Sequence, residues 1–146
     1  MRSSKALEDV ADSEWTAFIA KLEAAEHEFA QGRPAAFKAL WSHSDDVSIC
    51  GAFGGVESGW NNVAARLDWA SSQFSEGTRT REEVSSAVGA DFAYIVQTEH
   101  IRFRVPGRTE PSALDLRVTM VFRREANEWR IVHRQADSQR STQLPR

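Results

Sequence analysis

Beyond Gly77 the chain carries no helical period. Arg79–Val88, Phe92–Val105, Ser112–Arg124 and Trp129–Asp137 alternate in character, with breaks at Gly89-Ala90-Asp91, Pro106-Gly107 and Ala126-Asn127. Alternation places successive side chains on opposite faces of a strand, and strands in series joined by short turns fold most simply as an antiparallel sheet. About a third of the chain is thereby committed to one sheet, and whatever precedes it must cover a face of that sheet.

The preceding residues have the period to do so. Leu7, Ala11, Trp15, Phe18, Leu22, Ala25 and Phe29 recur at steps of three and four, widened by Val10 and Ile19, which predicts one long amphipathic helix over 6–31 with an acidic opposite face. Gly32 ends it, and Pro34 opens a short second helix through Trp41, with Phe37, Leu40 and Trp41 on its buried side. Val47-Ser48-Ile49-Cys50 then alternates as a strand, and Gly51, Gly54 and Gly55 mark a hairpin-like turn. Ser58 is a candidate N-cap for a third helix with the stripe Trp60, Val63, Leu67, Ala70 and Phe74, from which Arg66 and Trp69 lie aside. The expected class is α+β: a strongly curved antiparallel sheet wrapped around the first helix as a cone, in a single domain spanning 1–146, with its core over 6–137 and a loose tail over 138–146.

Composition narrows the function classes. Hydrophobic residues make up 41% and charged residues 27% of 146 positions, which suits a globular core. No apolar run approaches the roughly 20 residues that cross a bilayer, and MRSSKALEDVADSEW lacks the apolar centre of a secretion signal, so no membrane partner and a cytoplasmic location are expected. Residues 1–99 hold eight basic and sixteen acidic side chains, whereas residues 100–146 hold ten arginines and five acids, so the two halves should attract. No lysine cluster or aromatic RNA-binding signature accompanies the arginines, which argues against nucleic acid. Cys50 is the only cysteine, and His27, His43, His100 and His133 show no metal-ligand spacing, so neither a disulfide framework nor a metal is expected. No nucleophile elbow, phosphate loop or dinucleotide fingerprint occurs, and no cofactor is expected.

The order of elements, together with LWSHSDDVSICGAFGG, the SGW helix start and LRVTMVFRREANEWRIVHRQAD, resembles the nuclear transport factor 2-like superfamily, and within it the SnoaL-like and ketosteroid-isomerase-like proteins. The resemblance covers residues 6 to about 137 and implies the cone fold. The isomerase triad does not carry over: its base would fall on Gly51, its tyrosine near Ala25 and its acid near Thr119. Of the arginines that the kinase II association domain places in its cone, only Arg117 offers a match, two residues out of register.

On the long strand Ile95, Gln97, Glu99, Ile101 and Phe103 share one face, which the resemblance turns inward. By the same comparison Arg117, Thr119 and Val121, then Val132, Arg134 and Ala136, point inward. The opposite faces, with Met120, Phe122, Trp129, Ile131 and His133, form an apolar outer surface that a homodimer would cover. Glu99 then meets Arg117 and Arg134. That cluster reads either as a satisfied ion pair in the core wall or as an acid–base site, with Glu99 and Arg117 as the catalytic candidates. Trp41, Phe53, Trp60, Trp69, Gln97, Thr119 and Arg134 are the pocket-lining candidates. The expected function is binding of a small oxygenated or anionic organic molecule, with cofactor-free isomerase, lyase or hydratase chemistry. The alternative is a non-catalytic dimeric association module with a structural cavity.

Overall fold

The computed structural model describes residues 4–139; the side chain of Leu7 and the tail residues 140–146 lie outside the described residues. Helix α1 (Ser4–Ala30) and the short α2 (Ala35–Ala39) precede the hairpin of β1 (Ser48–Cys50) and β2 (Val56–Ser58). Helix α3 (Trp60–Ser72) leads into β3 (Ser75–Val88), β4 (Phe92–Arg104), β5 (Pro111–Glu125) and β6 (Glu128–Ser138). The strands form one curved, unclosed six-stranded sheet in the order β2-β1-β6-β5-β4-β3. β3 to β6 form the antiparallel meander, whereas β1 runs parallel to β6. The parallel pair is an addition to the expected all-antiparallel sheet, made possible because α3 and three long strands separate β1 from β6 in the chain.

The stripe of α1 is buried at Phe18, Leu22 and Ala25 and half-buried at Trp15, Ile19 and Phe29, while Val10 and Ala11 are exposed. Trp15 meets the rings of Phe122 and Trp129 edge-on, both at 5.2 Å, so the helix is held to the inner face of β5 and β6 by aromatic contacts. Ser58 does not cap α3: it pairs with Ser48 in the hairpin, and Gly59, at φ 80°, takes the cap position. A left-handed backbone there is open to glycine at little cost.

Two faces differ from the sequence reading. On β5 the buried set is Leu116, Val118, Met120 and Phe122, and Arg117, Thr119 and Val121 lie on the other side. Because the side-chain period is two, a one-residue slip in the comparison reversed the strand, and the more apolar set takes the interior. On β6 Trp129 and Ile131 are buried, and so are Val132 and Ala136 farther on. The register shifts by one residue where Val121 pairs with His133 and Phe122 with Ile131, leaving Val132 as a bulge. That bulge changes the phase of the strand and brings Arg134 to the same face as Ile131. Met120, Phe122, Trp129 and Ile131 are therefore core and not the outer apolar surface on which the dimer expectation rested; His133 does face outward, bonded to Ser48.

β3 begins four residues earlier than predicted. Gly77, which the sequence reading left ahead of the first long strand, is a buried strand residue pressed on the end of α1, where an added Cβ would overlap the Ala30 carbonyl. Gly77→Ala should lower stability by about 1–3 kcal/mol through forced overpacking, read as an earlier urea midpoint; an unchanged midpoint would show that the contact between α1 and β3 yields freely.

Candidate functional site

Glu99, in the middle of β4, is 1% exposed and sits on the inner face. Its Oε1 accepts from Arg134 Nη2 at 3.0 Å and from Arg79 Nε at 3.2 Å. Its Oε2 accepts from Arg134 Nη1 at 3.0 Å and from Gln97 Nε2 at 2.7 Å, with Arg79 Nη2 at 3.1 Å. Arg134 thus meets both carboxylate oxygens with its fork, the geometry that makes arginine the suited partner for a buried acid. Gln97 is oriented in turn by Arg81, whose Nη1 donates to Gln97 Oε1 at 3.1 Å, and Arg81 pairs with Glu23 on α1. The strand side of the cone is thereby tied to the helix through charge.

A second carboxylate completes the cluster. Glu26 on α1 is 6% exposed and pairs through Oε2 with Arg79, while its Oε1 has no hydrogen-bond partner and stands 3.9 Å from Arg134 Nη1. The two glutamates behave in opposite ways. Burial raises the Glu99 carboxyl, but Arg134 and Arg79 together outweigh it and hold the group well below the ordinary carboxylate range. Burial also raises Glu26; Arg79 and Arg134 offset it only in part, Glu99 and Glu23 add repulsion, and the carboxyl is pushed up to about 7. The guanidinium groups of Arg79 and Arg134 are held charged despite burial, by Glu26 and Glu99 for the first and chiefly by Glu99 for the second. Glu99 is a fixed anion; Glu26 is the group that exchanges a proton near neutrality.

Beside this cluster lies a cavity of about 70 Å³. Glu26, Glu99, Arg79 and Arg134 line its polar side, Phe29, Phe37, Phe53 and Phe74 its aromatic side, and Arg66 and Ala70 come from α3. Among the described residues no cluster of three or more histidine, cysteine, aspartate or glutamate groups is placed to hold a metal ion.

The structure distributes the sequence candidates unevenly. Glu99, Arg134 and Phe53 line the cavity, and Gln97 is buried against Glu99. Arg117 is on the opposite face, with a side chain 66% exposed and Asp137 4.0 Å away, so it cannot act with Glu99. Thr119 shares that outer face, for the reason given for β5. Trp41 is core, edge-on to Phe37 and away from the cavity. Trp60 stacks on His43 at 4.0 Å and does not reach the cavity either. Trp69 stands outside the lining, at the rim, edge-on to Phe53 at 5.5 Å and beneath the Arg66 guanidinium. Glu26 and Arg79 were not singled out from the sequence, and Arg66 was noted only as lying off the stripe of α3. Glu26 had a signal, since it lies four residues after Leu22 and three before Phe29, on the buried stripe itself. Arg79 had none short of the register of β3 on β4.

An inner helix with a curved, unclosed sheet bent around it is the architecture of the NTF2-like α+β folds. Within that class, the chain belongs to the SnoaL-like domain family, whose pattern matches residues 19–137. Among solved structures it is similar to a candidate dehydratase of the NTF2-like family from Streptomyces avermitilis, at 18% identity and TM-score 0.75, covering 91% of this chain and 99% of the other. It is also similar to a type 2 hexachlorocyclohexane dehydrochlorinase, at 14% identity and TM-score 0.73, covering 94% and 93%. A third similar structure is a candidate calcium/calmodulin-dependent protein kinase type II association domain from Thiobacillus denitrificans, at 22% identity and TM-score 0.69, covering 86% and 94%. At these identities the likeness is one of fold. No curated protein sequence matches the chain significantly.

The two arginines that sequence reasoning placed together should separate cleanly by stability. Arg134→Met leaves Glu99 short of its forked partner and should cost about 3–5 kcal/mol, whereas Arg117→Met should stay within about 0.5 kcal/mol of the parent. Urea unfolding of both variants measures this, and equal effects would contradict the assigned faces.

Proposed function

We propose that the protein binds a small organic molecule in the cavity and moves a proton on it with Glu26, in cofactor-free isomerase, lyase or hydratase chemistry. The observation that carries this reading is the Oε1 atom of Glu26, buried, without a partner and on a residue that lines an otherwise largely aromatic cavity. A buried polar atom left unpaired is costly and calls for a reason. A carboxyl that releases and accepts its proton near pH 7 is suited to general acid–base work. Glu99 has a positioning role here: it holds Arg134 and Arg79, which keep positive charge beside the place where an oxygen on the bound molecule would gain negative charge. Elimination, or the reverse addition, is favoured within the reaction classes, supported by the fold shared with a candidate dehydratase and a dehydrochlorinase.

A second reading has its own support. The cavity, at about 70 Å³, is less than half of the ~150 Å³ void that holds a benzene molecule, and a similar structure is a candidate kinase association domain. On this reading the protein is a non-catalytic dimeric association module, joined through the outer sheet face that carries Tyr94, Val96, Thr119 and Val121, and the cavity is structural.

Incubation with a mixture of small metabolites, followed by mass spectrometry, identifies a compound that is consumed. Glu26→Gln should then slow its turnover about 10²–10⁴-fold while leaving the circular dichroism spectrum unchanged. Full activity in that variant removes Glu26 from the mechanism, and a protein that consumes nothing and retains no molecule in native mass spectra favours the association module.

A further inference from the structure

Arg66 lines the rim of the cavity from α3, and its charge is the one the site does not balance. Arg79 and Arg134 are each paired with buried glutamates, whereas Arg66 makes no ion pair among the described residues. Its guanidinium donates to the Gly54 carbonyl and lies 4.7 Å over the Trp69 ring, two neutral partners. With Glu26 and Glu99 both ionised, three guanidinium groups face two carboxylates in the lining, and one positive charge remains at the mouth.

The turn between β1 and β2 is shaped around this group. A Cβ on Gly55 would stand 2.7 Å from Arg66 Nη2, and one on Gly51 would stand 3.6 Å from its Nε. Gly55 also has φ 78°, a conformation that disfavours any other residue. The lining that Arg66 shares includes an apolar set, Phe53, Phe74, Leu67 and Ile101. Phe53 closes the rim against both Trp69 and Phe74.

We propose that the cavity selects a small monocarboxylate with a short aliphatic tail, the carboxylate received by Arg66 at the mouth and the tail lying along Phe53 and Phe74 towards Glu26. The inference rests on the reading of the cavity as a binding site and adds to it the chemical class of the ligand. A carboxylate replaces two neutral contacts with charge-assisted hydrogen bonds from a planar fork. The volume of about 70 Å³ decides the tail: it is too small for a buried aromatic ring and admits a short chain.

Butyrate and butyramide, which share a skeleton and differ in charge, are the probes, and amide chemical-shift titration of the full chain is the measurement. Butyrate should bind at least about tenfold more tightly than butyramide, a difference of one charge-assisted contact. Arg66→Gln should abolish that preference and leave butyramide affinity as it was, and Arg66→Lys, which keeps the charge but not the fork, should retain part of it. Ala70→Phe, which fills the cavity, should remove both interactions. If the parent binds both probes equally, or Arg66→Gln keeps the preference, the carboxylate inference is overturned and the cavity reading stands. If neither probe shifts resonances of the cavity lining, both are overturned.

Discussion

Glu99 stands 1% exposed at the centre of the sheet, and much of the interior is arranged so that this carboxylate is not left alone. An unpaired ion at such a depth would cost several kcal/mol, more than a domain of this size can spare. The requirement reaches into distant parts of the chain. The Val132 bulge turns Arg134 inward, the register of β3 on β4, with Arg79 opposite Ile101 and Arg81 opposite Glu99, turns both arginines inward, and α1 supplies Glu23 and Glu26 from the other side. The attraction expected between the acidic first part and the arginine-rich last part is realised here in the pair of Glu99 and Arg134, and near the surface in Arg123 with Asp46 and Arg124 with Glu14.

The same network explains why two glutamates in one hollow differ. Glu99 is met by donors on both oxygens, which stabilise its charged form and leave it without a useful proton. Glu26 shares Arg79 with Glu99 and has one oxygen unmet, so burial dominates its chemistry. Two groups whose environments drive their proton affinities apart form an acid–base site in miniature. The fixed anion positions the cations, and the titrating group faces the void.

The element order was legible because it rests on period. The stripe of α1, the turn at Ala126-Asn127 with φ 49° and 65°, and the division of β4 into two faces follow from local chemistry, and the resemblance supplied which face of β4 turns inward. The faces of β5 and β6 were not. Arg117, Thr119 and Val121 alternate as well as their neighbours do, and only the greater apolar content of Leu116, Val118, Met120 and Phe122 distinguishes the two sets. The bulge at Val132 carries no composition signal, so β6 reads as one uninterrupted alternation when it is two of opposite phase. Arg134 was placed inward all the same, whereas Arg79 depends on pairing between strands and could not be read locally. Glu26 was missed by being counted with the acidic face of its helix, although its spacing from Leu22 and Phe29 puts it on the buried one.

Glu26 holds its proton far more tightly than Glu99 does. Because the folded chain binds that proton more strongly than the unfolded chain, the Glu26 contribution to stability is complete below pH 4.5 and is lost as pH rises to about 7; the Glu99 contribution is present above pH 4.5 and is lost on acidification. Carboxyl carbon NMR, with the two signals assigned through Glu26→Gln and Glu99→Gln, reads the groups directly. The account predicts a Glu26 midpoint near 7 and a Glu99 signal that stays ionised through the ordinary carboxylate range. A Glu26 midpoint at or below 4.5, or a Glu99 that takes up the proton first, would contradict it.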